Sequence, residues 1–169
     1  LIVVDYQNDF VSGSLGFEKA KTLELGIANK INSYHVNGDD VIFTLDTHYD
    51  DYMDSYEGKH LPVPHCIENT DGHKLYGSVA DCVSGEDIVF RKTAFGSDAL
   101  YEYLKTACYG SVELVGVVTN ICVVANAVLA KTALPDADII VDSMLTASND
   151  ERLHNAALDT MEGMQIIIK

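Results

Sequence analysis

Polar side chains able to do chemistry stand after four successive apolar runs of the sequence. They are a carboxylate, a carboxylate–histidine pair, an ammonium and a thiol: Asp5, Asp46 and His48, Lys92, and Cys122. If the apolar runs are parallel strands, these side chains meet at one edge of the sheet, where open α/β sheets bind their ligands. A thiol beside an acid and an amine can act as a nucleophile that has its own proton carrier.

The position of Cys122 alone is equally consistent with two roles, a reactive nucleophile and a buried structural residue. At a helix N-terminus, free amide groups and a nearby Lys92 would lower the thiol pKa and favour the ionised form. A buried and inert thiol is the alternative, since free cysteines are often buried. Asp5 and Lys92 could also be a strand-end acid and a solvated lysine, but together they favour a nucleophile. Structural roles are predicted for the other cysteines, which are Cys66, Cys82 and Cys108.

A second group of residues offers metal ligands. Asp46 and His48 are two residues apart, so a continuing strand would place both on one side. With His65 they provide three nitrogen and oxygen ligands suited to zinc, iron or manganese. Loop histidines are also commonly just exposed polar residues, and the sequence has no two-histidine helix motif. Glu57 and His60 are further candidate ligands or partners of ligands.

The elements that position these residues follow from apolar periodicity. Six short runs rich in Val and Ile predict strands at Leu1–Val4, Val41–Leu45, Asp87–Phe90, Val112–Val117, Asp138–Val141 and Gln165–Ile168. They are mostly continuous instead of alternating, which is typical of parallel strands covered on both faces.

Helical patterns separate the strand runs. They are predicted from Ala20 to Val36, after Ser97, from about Asn120, and after a capping box over Ser148–Glu151. The alternation predicts one domain over residues 1–169, a three-layer α/β/α, Rossmann-like fold with a mostly parallel sheet of about six strands. The segment from Thr47 to about Cys82 has little periodicity and is expected to carry function.

Composition limits the function classes. The 169 residues carry 11 Lys plus Arg against 26 Asp plus Glu, a formal charge of −15. So acidic a surface disfavours nucleic acid and anionic membranes as partners. No run approaches the ~20 apolar residues of a membrane span, and no signal-peptide pattern opens the chain. The four cysteines lack a Cys-x-x-Cys pair, which favours reduced thiols in a cytoplasmic protein. Without an initiator Met, a few residues are expected to be missing in front.

Several motifs resemble those of the isochorismatase-like cysteine hydrolases. Asp5–Phe10 (DYQNDF) resembles the opening motif of that family, and Gly116–Val123 (GVVTNICV) is similar to its nucleophile segment. Four further motifs resemble the metal-bearing nicotinamidase/pyrazinamidase branch of the family. They are Asp46–His48 (DTH), Pro64–Cys66 (PHC), Asn69–Gly72 (NTDG) and Phe90–Phe95 (FRKTAF). The resemblance covers essentially the whole chain in the same order.

The resemblance implies a set of site residues. A catalytic triad would be formed by Asp5, Lys92 and Cys122. One divalent metal ion, zinc first and otherwise iron, manganese or magnesium, would be held by Asp46, His48 and His65, with Glu57 as a further ligand that can act through water. An oxyanion would be bound by the amides of Val118 and Cys122, after a non-proline cis peptide between Val117 and Val118. The substrate ring would lie between Phe10 and Phe95, each of which could equally be core packing.

The resemblance also implies an activity. It is the hydrolysis of nicotinamide to nicotinate and ammonia through a cysteine thioester, in the salvage of pyridine nucleotides. The partner would be a small carboxamide, and relatives often form homo-oligomers.

The chain departs from the family pattern near the pocket. The interval Glu57–His65 is one residue longer than in some relatives, Leu61–Pro64 stands where many have an aromatic residue, and there is no Trp. Three alternatives therefore stay open. They are a family hydrolase of another small amide, a catalytically silent binding protein, and a hydrolase whose metal ion supplies the hydroxide and which does not need Cys122.

Overall fold

The computed structural model describes residues 1–169 and contains one six-stranded sheet. Its strands are β1 (Ile2–Val4), β2 (Ile42–Asp46), β3 (Ile88–Lys92), β4 (Ser111–Val117), β5 (Asp138–Ala147) and β6 (Ile167–Ile168). Every neighbouring pair is parallel, in the order β3-β2-β1-β4-β5-β6. The predicted parallel sheet is confirmed, and its carboxyl ends lie at a single edge.

Helices cover both faces of this sheet. They are α1 (Asn8–Val11), α2 (Glu18–Lys21), α3 (Glu24–Asn37), α4 (Tyr56–His60), α5 (Gly77–Asp81), α6 (Asp98–Thr106), α7 (Val124–Ala133) and α8 (Glu151–Gly163). Helices α1, α2, α3 and α5 share one apolar core with Val3, and α6, α7 and α8 share the other with Ile2 and Val4. Alternate residues of β1 thus enter opposite cores, and the predicted three-layer α/β/α fold is confirmed. None of the helices combines the length and the apolar character needed to cross a membrane.

The predicted helix from Ala20 to Val36 is in fact two helices, α2 and α3. At the break, the Thr22 hydroxyl donates to the Lys19 carbonyl at 2.7 Å, and the amides of Thr22 and Leu23 bond three residues back instead of four. This local bonding tightens the chain and ends α2. The predicted stop at Gly38 is confirmed, since Gly38 has φ 76° and caps α3.

The start of α8 differs from the predicted capping box. Asp150, and not Ser148, is the N-cap, and its carboxylate accepts the Leu153 amide at 3.0 Å. The reason is the length of β5, which continues to Ala147 beyond the predicted end at Val141. Ser148 therefore lies in the turn, where its hydroxyl accepts the Asp150 amide at 3.2 Å.

The weakly periodic segment between β2 and β3 forms short helical turns around the carboxyl edge of the sheet. It contains a 3₁₀ turn over Tyr52–Asp54 together with α4 and α5. It is tied to the site by isolated bridges between His48 and Ile67 and between Gln7 and Leu75. This segment supplies much of the wall of the cavity described below.

Lys30 holds together a charged network between α3 and the sheet. Its Nζ lies 2.6 Å from both a Glu113 and an Asp142 carboxylate oxygen, and both acids are buried. We expect Lys30→Met to lower the free energy of unfolding by about 2–3 kcal/mol, because two buried carboxylates would lose their cation. The expected loss is smaller than for a fully buried ion pair, since Lys30 is partly exposed. Urea denaturation measures this loss.

A matched control is Lys21→Met. Lys21 makes an ion pair with Glu18 at the same 2.6 Å, but on the surface. Exposed pairs contribute little, so this variant should keep the midpoint of the unaltered protein. Equal losses in the two variants would contradict the role given to Lys30.

Candidate active site

Four of the predicted site residues meet at the carboxyl edge of the sheet. Asp5 directly follows β1, Asp46 and Lys92 end β2 and β3, and Cys122 lies in the turn after β4. Asp46 and Lys92 are also paired in the register of the two strands. All four residues are buried. The convergence predicted from the ends of the apolar runs is therefore present in the structure.

The Lys92 ammonium is the centre of this group. Its Nζ lies 2.7 Å from Asp5 Oδ2, 3.2 Å from Asp46 Oδ1 and 3.6 Å from Cys122 Sγ. Burial alone would lower the pKa of Lys92, but the carboxylates of Asp5 and Asp46 outweigh it and raise this pKa. The raised pKa favours the charged ammonium, which contacts two acids and the thiol.

Asp5 is fully buried and held in one orientation. Its Oδ1 accepts a hydrogen bond from the Thr44 hydroxyl at 2.7 Å, and its backbone has φ 45°. Burial raises the pKa of Asp5 above the usual carboxyl value, and Lys92 opposes this shift only in part. A carboxylate of raised pKa next to a thiol is suited to accept and return a proton near neutral pH.

Cys122 does not have the acidic thiol expected from the sequence. It lies in a π-helical turn over Thr119–Val123 that continues directly into α7, so Cys122 is in the first turn of this helical segment, as the sequence predicts. Burial, followed by the nearby Asp5 carboxylate, raises the pKa of the Cys122 thiol well above normal, although Lys92 opposes this. A raised pKa favours the protonated thiol, which is opposite to the direction expected from the sequence. The attack on a substrate therefore needs a base, and Asp5 is adjacent.

Asn126 supports the nucleophile turn, which is the π-helical turn over Thr119–Val123 that contains Cys122. This role was not predicted from the sequence. The fully buried amide of Asn126 donates to the carbonyls of Cys122 at 2.8 Å and Phe95 at 3.1 Å, and accepts the Ser97 amide at 2.9 Å. One side chain thus joins the turn after β4 to the loop after β3. The signal in the sequence is an amide within an apolar helix, since a buried polar group must find partners.

The peptide between Val117 and Val118 is cis, as the family resemblance implies. The Val118 carbonyl accepts the amides of Ile121 at 3.0 Å and Val123 at 3.2 Å. These two amides are therefore engaged within the turn. An oxyanion site made by the amides of Val118 and Cys122 stays a prediction.

Asp46, His48 and His65 form a compact cluster that fits a metal ion. Their ligand atoms all lie within 4.8 Å of one another, and both histidine Nε2 atoms face Asp46 Oδ2, at 3.2 and 3.5 Å. His65 Nδ1 donates to the Val63 carbonyl at 2.8 Å, which in a neutral ring leaves Nε2 without a proton. This lone pair faces a carboxylate oxygen, an arrangement that is repulsive unless a proton or a cation lies between them.

Glu57 is close to this cluster but outside its tightest group. Its carboxylate oxygens lie 3.9 Å from His48 Nε2 and 3.7 Å from His65 Nε2. This distance suits a ligand acting directly or through water. His60, the other candidate from the same helix, instead packs against the Tyr56 ring and bonds the Tyr56 carbonyl at 2.8 Å.

A cavity of about 700 Å³ opens beside these groups, within the usual size range of small-molecule sites. Its lining includes Cys122, Asp46 and His48, so the nucleophile and the metal cluster border the same space. Phe10 and Phe95 also line it, the first buried and the second about half exposed. The two aromatic residues expected at the substrate ring are therefore at the cavity wall.

Histidines without a predicted role support the site from behind. His73 and His154 are buried and contact the hydroxyls of Thr47 and Thr119, each at 2.9 Å. Thr47 lies between Asp46 and His48 in the sequence, and Thr119 is the first residue of the turn that contains Cys122. His73 stands in a segment without periodicity, so its burial is not predictable from the sequence, whereas His154 shares the helical spacing of the buried Ala157 and Met161 in α8.

The comparisons with known proteins agree with this architecture. The Isochorismatase domain family matches residues 1–168. The isochorismatase family protein PncA of Bacillus subtilis is 34% identical over 170 residues, which cover 94% of this chain and 91% of that protein. The pyrazinamidase/nicotinamidase of Streptococcus mutans superposes with a TM-score of 0.88 at 29% identity, over 99% of this chain and 98% of that one.

A more distant likeness concerns the fold. The pyrazinamidase of Pyrococcus horikoshii, solved in complex with zinc, has a TM-score of 0.87 at 23% identity and covers 99% of this chain and 96% of its own. The family match over nearly the whole length and the 34% identical relative lead to one conclusion. This chain belongs to the isochorismatase family.

Proposed function

We propose that this protein is a single-domain cysteine amidase that hydrolyses nicotinamide to nicotinate and ammonia. The observation that carries the proposal is the contact of Asp5, Lys92 and Cys122 around one buried point, beside a three-ligand cluster and a shared cavity. The name of the 29% identical Streptococcus mutans protein supports the choice of a pyridine or pyrazine carboxamide. In this proposal the enzyme works in the cytoplasm, in the salvage of pyridine nucleotides.

The first half of the reaction forms a thioester. Cys122 gives its proton to the Asp5 carboxylate, and the sulfur bonds to the carboxamide carbon while the carbonyl electron pair moves to the oxygen. The amides of Val118 and Cys122 donate to this oxyanion. Asp5 then returns the proton to the amide nitrogen, the carbon–nitrogen bond breaks, and ammonia leaves.

The second half of the reaction releases the acid. Asp5 takes a proton from water, the hydroxide oxygen bonds to the thioester carbon, and the carbon–sulfur bond breaks. The proton held by Asp5 returns to the sulfur, and the enzyme is restored. Throughout both halves Lys92 stabilises negative charge on Asp5 and on the sulfur, both of which it contacts.

Asp46, His48 and His65 would hold one divalent metal ion, with Glu57 as a further ligand. The mixed nitrogen and oxygen set favours zinc and also accepts iron or manganese, with magnesium the least suited. When bound, the ion would provide a Lewis acid for the pyridine nitrogen of the substrate, which would orient the ring. Phe10 and Phe95 enclose the two faces of that ring, which directs the carboxamide to Cys122.

Ammonia release from a panel of amides tests the proposed substrate. Nicotinamide and pyrazinamide should be hydrolysed, and aliphatic amides of similar size should be poor substrates because they have no ring nitrogen. Turnover of an aliphatic amide alone would identify a different family hydrolase. No turnover of any amide would favour a binding protein.

A further inference from the structure

Strand β1 leaves the sheet before its neighbour β2 has ended. The last register pair between them is Val4 with Thr44, and the Asp5 amide still reaches the Thr44 carbonyl at 3.2 Å. At Asp5 the backbone turns away with φ 45°. Strand β2 continues to Asp46, which therefore has a paired strand on the β3 side only.

The side chain of Gln7 occupies the place that β1 has left. Its Oε1 accepts the Asp46 amide at 2.8 Å, and its Nε2 donates to the Asp46 carbonyl at 2.9 Å. Nε2 also donates to the His73 carbonyl at 2.8 Å. Gln7 is fully buried, and only one orientation of the amide satisfies all three bonds. The side chain thus bonds Asp46 on both backbone groups, as a neighbouring strand would.

Asp46, which Gln7 holds in this way, contacts both the metal cluster and the catalytic lysine. Asp46 Oδ2 faces His48 and His65, and Asp46 Oδ1 faces Lys92. On the opposite side the next amide, that of Thr47, donates to the Lys92 carbonyl at 2.8 Å. The backbone at Asp46 is consequently fixed from both sides, and on the side of β1 the hydrogen bonds to Asp46 come from the Gln7 side chain.

We propose that Gln7 is a positioning residue that holds Asp46 in the geometry needed to bind a divalent cation. This inference rests on the proposed metal cluster and adds a residue that touches neither the cation nor the substrate. The segment that provides Asp5 for proton transfer thereby also aligns the carboxylate of the metal cluster. Hydrogen-bonded supports of metal ligands typically change metal affinity by about 10–100-fold when they are removed.

Two substitutions test this inference. Gln7→Glu keeps the length and the acceptor for the Asp46 amide, but places a carboxylate oxygen against the carbonyls of Asp46 and His73. Gln7→Met keeps the length and removes all three hydrogen bonds. The zinc dissociation constant, measured by competition with a chromophoric chelator, should rise by about 10–100-fold in both variants. The absorption spectrum of the cobalt-loaded protein should also change, since it reports ligand geometry.

Tyr6→Phe is the matched control. Tyr6 is the adjacent residue, is equally buried, and loses a 2.6 Å hydrogen bond to the Ala20 carbonyl when its hydroxyl is removed. It has no hydrogen bond to Asp46. This variant should melt at a lower temperature without metal but bind zinc as tightly as the unaltered protein.

Wild-type affinity in both Gln7 variants would overturn the inference. So would a loss of affinity that follows melting temperature equally in the Gln7 and Tyr6 variants, because the role would then be merely structural. If Gln7→Met does not fold, zinc affinity and hydrogen exchange of the Asp46 amide in Gln7→Glu decide the question. Failure of the unaltered protein to bind zinc or cobalt would overturn the metal cluster and this inference with it. The amide-hydrolysis proposal is judged separately, by ammonia release.

Discussion

Substitution of Cys122 by alanine is expected to reduce the hydrolysis of nicotinamide by about 10⁴-fold or more, as removal of a covalent nucleophile does in other hydrolases. Cys122 lines the cavity, its sulfur lies 3.6 Å from the Lys92 ammonium, and no other cysteine lines that cavity. Cys122→Ser should lose nearly as much activity, because a hydroxyl is far less acidic than a thiol and the same carboxylate cannot activate it to the same extent.

Initial rates of ammonia release measure the effect, and circular dichroism checks that each variant is folded. Cys108→Ser is the matched control, since it makes the same exchange at an exposed thiol and should keep full activity. Retention of activity in Cys122→Ala would contradict the thioester route. It would instead favour a hydrolase in which a metal ion activates the water.

Much of the fold was predictable because apolar continuity and strand ends are local properties of the sequence. Runs such as Val112–Val117 are buried on both faces only in a covered parallel sheet, so their composition indicates the layers. Polar residues within two positions after these runs mark the carboxyl edge. Asp5, Asp46 and Lys92 could therefore be placed together before any contact was known.

The ends of elements were less predictable where several residues can play the same part. Ser148, Asn149 and Asp150 are all good N-cap residues, and only the extent of β5 decides among them. That extent depends on pairing with β4, which resumes at Gly116 after a register irregularity. Strand pairing is a long-range property, and the local sequence does not contain it.

The protonation of Cys122 could not be inferred from spacing. Sequence reasoning identified the nearby Lys92 and the helix start, which both favour a thiolate. It could not supply the depth of burial or the position of the Asp5 carboxylate, and these two effects dominate. For a related reason Gln7 and Asn126 were overlooked as supports. Their buried amides need partners, but the partners are distant in sequence.

Substitution of Asp5 by asparagine is expected to lower kcat by about 10²–10⁴-fold, the usual contribution of a general acid–base group. The amide keeps the acceptor for the Thr44 hydroxyl but places its NH2 group against the Lys92 ammonium, which keeps its ion pair with Asp46. Thermal unfolding must therefore be measured beside the rates to show that the variant is folded. The amide cannot accept the Cys122 proton, which the raised thiol pKa makes necessary. Steady-state kinetics on nicotinamide should therefore show a larger change in kcat than in KM.

The role of Asp5 as a proton acceptor also predicts how the activity changes with pH. Burial raises the pKa of Asp5, so the unaltered enzyme should lose activity as pH falls through a value above the usual carboxyl range, when Asp5 becomes protonated. In Asp5→Asn the residual activity should lack that acidic limb. The exposed Asp81→Asn is the control and should retain it. If Asp5→Asn kept the limb, another group would carry the proton. If its rate were also unchanged, the contact of Asp5 with Lys92 would serve the stability of the buried ammonium and not the reaction.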